Sequence, residues 1–260
     1  MMDVQHALVT GATSGIGLVI ARALAVQGMN ITISGLGTDD EITDICNSLM
    51  DAGAPMAIHD PADMRDPAAV RMMIDKAAER FGGLDILINN AGIQHVATVA
   101  DFPIEKWDDV LAINLSAVFH ASAAAVVHMT AAGWGRVINI SSVHGLVASP
   151  YKAAYVAAKH GVIGLTKTMA LEHARSAITV NAICPGWVRT PLVEQQIMAR
   201  AKESARSIDE EATILVADKM PSGVFTEAED VAAAVQFLCG SASASITGTS
   251  LIMDGGWTAQ

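Results

Sequence analysis

The stretch HALVTGATSGIGLVIARAL, residues 6–24, decides the fold class. Residues 6–10 form an apolar run typical of a short buried strand, and three glycines follow within the segment GATSGIG at residues 11–17. Apolar residues then recur at helical spacing between residues 18 and 24. Glycines let backbone amides approach a pyrophosphate, and the start of the following helix offers unpaired N–H groups. The stretch therefore predicts a βα unit that binds a dinucleotide.

Strand-like and helix-like segments alternate through the rest of the chain. Seven apolar segments are typical of strands, namely residues 6–10, 30–34, 56–59, 84–89, 136–142, 178–184 and 250–253. This alternation predicts a parallel sheet covered by helices on both faces, with ligands at the carboxyl ends of the strands. No repeat or linker divides the sequence, so we predict a single α/β domain over residues 1–260.

Three places carry helix-start signals. Asp66-Pro67 and Thr190-Pro191 are typical of an N-cap followed by proline in the first helical turn, and Thr226 with Glu229 predicts a capping box. Residues 188–224 separate two regular elements by more than an ordinary loop. We predict that this segment is a helical lid whose closure excludes water; the alternative is a static surface insertion used in subunit packing.

Composition excludes several classes of protein. The formal net charge is −11 and the 16 Lys and Arg residues are scattered, which argues against a nucleic-acid-binding surface. We expect no signal peptide before the first strand and no apolar run of membrane-spanning length without polar interruption. The three cysteines, Cys46, Cys184 and Cys239, have spacings that predict no metal site, so we expect reduced thiols in a cytoplasmic protein.

Tyr155 and Lys159 are four residues apart in an alanine-rich segment that is typical of a helix, so both side chains lie on one face. A nearby ammonium favours the phenolate and lowers a tyrosine pKa, which would make Tyr155 a proton donor and acceptor. Taken alone, residues 155–159 would favour an ordinary Tyr/Lys pair on an alanine-rich helix.

The wider motif set resembles the short-chain dehydrogenase/reductase family over the whole chain. The matching segments, in order, are residues 11–17, Asn89-Asn90-Ala91-Gly92, Asn114, Ser142, Tyr155 with Lys159, and Pro185-Gly186. The resemblance implies a doubly wound Rossmann-like domain, a nicotinamide cofactor, and hydride transfer to or from a carbonyl carbon.

The same resemblance implies roles for individual residues. Tyr155 would be the general acid/base, and Ser142 would hydrogen-bond the reacting oxygen. Lys159 would lower the tyrosine pKa and hold the nicotinamide ribose, while Asn114 would support a water or the lysine in a proton relay. The implied cofactor contacts are Gly11, Thr13, Ser14, Gly15, Ile16, Gly17, Leu36, Asp63, Met64, Asn90, Ala91, Gly92, Tyr155, Lys159, Pro185, Gly186, Val188 and Thr190.

Residues outside the shared motifs resemble a bacterial branch of the family that acts on a small hydroxy acid and its keto acid. By that resemblance the substrate would contact Gln94, His144, Lys152, Trp187, Gln196 and Trp257. Amide, imidazole and ammonium groups are suitable donors to a carboxylate, and two indoles could enclose a methyl group. Taken singly, each of these residues also has an ordinary structural explanation. The family is commonly tetrameric, so the resemblance implies a homotetramer.

The cofactor preference is argued from missing charges. The second strand ends in Ser34-Gly35-Leu36-Gly37, without the acidic residue that commonly binds the ribose of NAD. However, no Lys or Arg lies between Arg22 and Arg65, so a 2′-phosphate would find no local countercharge. Leu36 would also occupy the space that this phosphate needs. We therefore predict NAD.

Two alternatives to a hydroxy-acid dehydrogenase remain. One is a short-chain dehydrogenase for another small alcohol, a polyol or a 3-oxoacyl thioester. The other is a non-catalytic dinucleotide-binding module. The proton-transfer set of Ser142, Tyr155 and Lys159 favours an enzyme, because a binding module has no need of it.

Overall fold

The structure is a computed structural model that describes residues 4–260, with every side chain in that range except that of Leu192. The strands are β1 (His6–Val9), β2 (Asn30–Ser34), β3 (Ala57–Asp60), β4 (Ile86–Asn89), β5 (Gly135–Ile140), β6 (Ile178–Pro185) and β7 (Ser250–Met253). They form one sheet in the order β3-β2-β1-β4-β5-β6-β7, and every neighbouring pair is parallel. The predicted doubly wound Rossmann-like sheet is therefore confirmed.

Helices cover both faces of the sheet. Within residues 4–260 they are α1 (Gly15–Val26), α2 (Asp39–Asp51), α3 (Pro67–Phe81), α4 (Ile104–Leu111), α5 (Ala117–Ala132), α6 (Ala153–Glu172), α7 (Pro191–Ser204), α8 (Ile208–Lys219) and α9 (Ala228–Cys239). Side chains alternate between the two faces of each strand, so Ile86 and Ile88 of β4 pack in one core layer and Leu87 packs in the other.

The helix-start signals are confirmed in two of three places. The Asp66 carboxylate accepts hydrogen bonds from the amides of Ala68 and Ala69, and the Thr190 hydroxyl accepts one from Val193. The capping box predicted at Thr226 is wrong. Helix α9 begins after Glu227, and the Thr226 hydroxyl donates to the Met253 carbonyl at 3.0 Å. The Thr226 hydroxyl therefore bonds to β7 and does not form the capping hydrogen bond that the local sequence predicts.

One apolar stretch is longer than the sequence analysis expected. Helices α4 and α5 are continuous through a π-helical turn at Ala112–Ser116, and the helix Ile104–Ala132 contains a window with a mean hydropathy of 1.9, of which 44% is buried. By length and composition it could cross a membrane, although polar residues such as Ser116 and His120 interrupt it, as the sequence analysis expected. Alanine and valine dominate the window and outweigh its few polar residues. In this structure α5 packs against α3 and β5, and core helices of α/β proteins meet the same criterion.

Candidate active site

A cleft of about 760 Å³ lies at the carboxyl ends of the central strands. It brings together most of the predicted site residues, although they are far apart in the sequence. The predicted site residues that line the cleft are Gly11, Thr13, Ser14, Gly15, Ile16, Leu36, Asp63, Met64, Asn90, Ala91, Gly92, Gln94, Ser142, His144, Lys152, Tyr155, Lys159, Pro185, Gly186, Trp187, Val188, Thr190, Gln196 and Trp257. Gly17 and Asn114 were predicted as site residues but do not line it.

The glycine loop is fixed against the end of β4. Gly11 has a φ of +61°, and a Cβ atom there would lie 2.7 Å from the Ala91 Cα, so only glycine fits. The Asn90 side chain donates to the carbonyls of Thr10 and Gly11, both at 2.9 Å. These contacts fix the loop at the cleft, in the position where a pyrophosphate would bind.

Gly17 has a packing role that the sequence analysis misassigned to cofactor contact. It is buried behind the loop, and a Cβ atom there would lie 2.4 Å from the Gly11 carbonyl oxygen and 2.4 Å from Asn90 Nδ2. The third glycine of the motif thus lets α1 approach the loop closely.

Asn114 is fully buried in the π-helical turn between α4 and α5. Its Oδ1 accepts from the Ile93 amide and its Nδ2 donates to the Ile93 carbonyl, both at 2.8 Å. This side chain fixes the backbone next to Gln94, a residue of the cleft wall. The predicted support of a water or the lysine in a proton relay stays a prediction.

Tyr155 and Lys159 lie one turn apart on α6, as predicted. The Lys159 ammonium is buried, lies 5.6 Å from the centroid of the Tyr155 ring, and donates to the Ile140 carbonyl at 2.8 Å. Burial lowers the pKa of Lys159 to about 8.

The Tyr155 pKa does not shift as the sequence analysis predicted. Burial raises the pKa of the Tyr155 hydroxyl, and a hydrogen bond with Ser142 opposes the rise without reversing it. The expectation that Lys159 lowers this pKa is therefore wrong for this structure, in which the ammonium is directed to Ile140. At neutral pH Tyr155 keeps its proton and is suited to donate it to a ketone oxygen.

Aromatic and basic side chains surround the other end of the cleft. The His144 ring lies edge-on to Tyr155 and to Trp257, with centroid distances of 5.9 and 5.4 Å. Trp187 lies 6.0 Å from Trp257, and the Lys152 ammonium lies 4.8 Å from the Trp187 centroid. This end combines an apolar wall with a cation, which suits a small molecule bearing a methyl group and a carboxylate.

The charge of this end depends on two shifted groups. Burial, with a smaller effect from the nearby Lys152 charge, lowers the pKa of His144 to about 4, so the imidazole is neutral at pH 7. Burial also lowers the pKa of Lys152 to about 8, which leaves its ammonium charged at neutral pH. Two hydroxyls orient the imidazole: Ser149 at 2.9 Å from Nε2, which the sequence analysis missed, and Ser142 at 3.4 Å from Nδ1.

The segment predicted as a lid contains two helices, α7 and α8. Val193 and Ile197 of α7 pack against Ala212 and Leu215 of α8, so the helices form one apolar layer. Buried Glu211 of α8 also accepts hydrogen bonds from Ser204 at 2.7 Å and from Arg206 at 2.8 Å. Helix α7 places Gln196 on the cleft wall as predicted, while movement of the segment stays a prediction.

Comparison with known proteins supports the interpretation of this cleft. The family model described as short chain dehydrogenase matches residues 5–201. The chain belongs to the short chain dehydrogenase family. A D-beta-hydroxybutyrate dehydrogenase of Rhizobium meliloti (strain 1021) is 52% identical over 258 residues, covering 98% of this chain and 99% of the relative. Another, from Cupriavidus necator, is 48% identical and covers 100% of both chains. These matches confirm the predicted family and the predicted resemblance to its bacterial hydroxy-acid branch.

A solved structure shows the same fold. The crystal structure of a variant actinorhodin polyketide ketoreductase with NADPH has a TM-score of 0.92 and 36% identity, over 99% of this chain and 98% of that chain. Members of the short chain dehydrogenase family bind a nicotinamide dinucleotide, and the glycine loop described above fits its pyrophosphate.

In this short chain dehydrogenase the cofactor end of the cleft contains a cation that the sequence analysis discounted. Arg65 lines the cleft together with Leu36, although it follows the third strand. Its guanidinium forms hydrogen bonds with the Asp63 carboxylate, the shortest of them 2.7 Å, and lies 3.8 Å from Asp109. The local positive charge is therefore already paired with two carboxylates. Asp63, predicted to contact the adenine, holds Arg65 in this structure.

Proposed function

We propose that this short chain dehydrogenase interconverts D-3-hydroxybutyrate and acetoacetate with NAD. The proposal rests on one observation: a single cleft contains both the Tyr155 and Ser142 hydroxyls and the Lys152 ammonium, which lies over the Trp187 indole. The first pair suits proton transfer at a hydroxyl carbon, and the ammonium suits a carboxylate. The two hydroxybutyrate dehydrogenase relatives support the same substrate.

In this mechanism the glycine loop and Asn90 position the dinucleotide, which supplies or accepts the hydride when bound. In oxidation the phenolate form of Tyr155 takes the hydroxyl proton of the substrate, and in reduction the protonated form donates a proton to the ketone oxygen. Ser142 donates a hydrogen bond to the reacting oxygen and stabilises the developing alkoxide. Because burial raises the pKa of Tyr155, its hydroxyl holds the proton that ketone reduction requires at neutral pH.

The carboxylate end fixes the orientation of the substrate. Lys152 supplies the charge, while Gln94, His144 and Gln196 are the neutral donors on the same cleft wall. The Trp187 and Trp257 indoles exclude water from the side of the cleft that would hold the substrate methyl group. With the carboxylate anchored and the oxygen beside Tyr155, only one enantiomer directs its carbon-bound hydrogen toward the nicotinamide.

The test is an assay of the purified protein with NAD and a panel of substrates. D-3-hydroxybutyrate is expected to be oxidised well, and polyols, sugars and other small alcohols poorly. A 3-oxoacyl thioester belongs in the panel, because the ketoreductase with a TM-score of 0.92 favours that class as the second candidate. A clear preference for a thioester or a polyol would overturn the hydroxybutyrate proposal.

Substrate affinity is expected to fall at alkaline pH. The Lys152 pKa is lowered to about 8, so its ammonium is present below that pH and is lost above it. If only the charged form binds the acid, KM for D-3-hydroxybutyrate should be about tenfold higher at pH 9 than at pH 7. The control is the methyl ester of the substrate. Lys159 also titrates near pH 8 but acts on both substrates, so a parallel rise for the ester would contradict the assignment to Lys152.

NAD is expected to be used at least about tenfold better than NADP, because a 2′-phosphate would find Arg65 already paired and would lose charged hydrogen bonds. The variant Leu36→Arg should reduce the difference in kcat/KM between NAD and NADP, whereas Leu36→Met, which adds no charge, should leave it unchanged. Equal use of both cofactors by the unmodified protein would contradict the argument.

We also propose a homotetramer. The proposal is supported by large apolar side chains exposed on two helices: Phe119 and Val127 of α5 and Leu171 of α6 have 46%, 66% and 78% exposure. Sedimentation equilibrium of the purified protein measures the assembly, and a monomer would refute it.

A further inference from the structure

A second cavity lies at the edge of the sheet opposite the active-site cleft. It has a volume of about 390 Å³ and is bounded by the amino ends of β5 and β6, by the end of α9 and by Gln5. Because the strands are parallel, their amino ends are the edge farthest from the cofactor loop. None of the lining residues is acidic.

The cavity is built around a buried cation. Arg136 is only 3% exposed, and its Nη1 donates to the carbonyls of Gly135 and Ala177 at 2.8 and 2.9 Å. Its guanidinium lies 4.3 Å from the centroid of the Trp134 ring. These contacts hold the group in place, but they are all neutral.

The charge of Arg136 has no counter-ion within residues 4–260. No carboxylate in that range forms an ion pair with it, and its Nε is buried without a hydrogen-bond acceptor. No hydrogen bond of its Nη2 is found in the same range either. Burial lowers the pKa of this guanidinium, yet an arginine stays charged in proteins, so the cavity has an uncompensated positive charge. Buried charges are normally paired, since an isolated one costs several kcal/mol.

We propose that this cavity is a second binding site, specific for a small oxoanion such as a carboxylate or sulfate, with Arg136 as the charged donor. The Nη2 group of the guanidinium has two N–H donors available for charged hydrogen bonds to an oxoanion. The Gln5 amide and the Ser241 hydroxyl lie on the cavity wall and are the neutral groups available to the rest of the anion. The site is independent of the proposed substrate, since it shares no lining residue with the active-site cleft.

The test is isothermal titration of the NADH-saturated full-length protein with sodium sulfate and, separately, sodium acetate at constant ionic strength. The variant Ser241→Asp places a carboxylate on the wall of the cavity and should remove one bound anion per chain. The matched control Ser245→Asp makes the same change at an exposed serine outside the cavity and should leave binding intact. Arg136→Met should abolish the same binding event, and the serine variants keep the proposal testable if this variant does not fold.

Thermal unfolding gives a second readout that does not depend on activity. An anion at ten times its Kd should raise the Tm of the unmodified protein and of Ser245→Asp by about 3–6 °C, and that of Ser241→Asp much less. Sodium chloride controls for general salt effects. The proposal is wrong if Ser241→Asp binds as many anions as Ser245→Asp, or if the unmodified protein binds none.

The alternative to a bound anion is a carboxylate of the chain itself. Asp3 precedes Gln5 by two residues and lies outside the described residues. The variant Asp3→Asn is therefore included. Anion binding that appears only in Asp3→Asn would overturn the proposal, because the chain would then supply the counter-ion. Equal binding by the unmodified protein and Asp3→Asn supports it.

Discussion

Tyr155→Phe is expected to lower turnover by about 10²- to 10⁴-fold, the range typical of a lost general acid/base. The substitution removes the hydroxyl that would exchange a proton with the substrate. It keeps the ring that packs edge-on against His144 at 5.9 Å, so the shape of the cleft is preserved. Steady-state kcat with D-3-hydroxybutyrate and NAD measures the loss, and NADH fluorescence titration should show nearly unchanged binding.

A matched control lies four residues earlier in the chain. Tyr151 is 59% exposed and does not line the cleft, so Tyr151→Phe makes the same chemical change outside the site. Its turnover should stay close to that of the unmodified protein. Near-normal turnover in Tyr155→Phe would end the assignment of this residue as the acid/base.

The sequence was sufficient wherever the structure depends on consecutive residues. The glycine loop of residues 11–17 and the helix starts at Asp66 and Thr190 follow from local steric and hydrogen-bonding rules, and the structure has them. The capping box at Thr226 failed because a strand distant in sequence offered its hydroxyl another acceptor. Local patterns are weak evidence where such a contact competes with them.

Two site features could not be predicted because they depend on pairs distant in the sequence. The Asn114 side chain forms hydrogen bonds with the Ile93 backbone, 21 residues away, and the sequence alone did not indicate this contact. Arg65 reaches the cofactor end of the cleft, where it pairs with Asp63 and, across the fold, with Asp109. A count of basic residues near the second strand could not show that a cation is present but already neutralised.

The pKa of Tyr155 shows a similar limit. The spacing of Tyr155 and Lys159 correctly placed both on one helical face, but spacing does not determine burial. In the structure, burial is the larger effect and raises the pKa. Which effect is larger depends on the walls of the cleft, which the ends of strands β1 to β6 and the segment after β6 build together.

D-3-hydroxybutyrate is expected to be a much better substrate than its methyl ester, which keeps the reacting hydroxyl but has no charge. A charged hydrogen bond contributes about 1.5 to 3 kcal/mol, so losing even one should lower kcat/KM at least about tenfold. Lys152→Ala should lower kcat/KM severely for the acid and little for the ester, because only the acid uses the ammonium. The L enantiomer should be a poor substrate, since anchoring its carboxylate turns its carbon-bound hydrogen away from the nicotinamide.

The control is Lys167→Ala, which removes an exposed lysine from the same helix as Tyr155 and should change neither substrate's kinetics. Lys152 also packs over the Trp187 ring at 4.8 Å, so its loss could disturb the apolar wall. A disturbed wall would affect acid and ester alike, whereas loss of the charge affects the acid alone. Equal rates for acid and ester in the unmodified protein would defeat the hydroxybutyrate proposal, and the dehydrogenase assignment would still stand because it rests on the family and on the cleft around Tyr155.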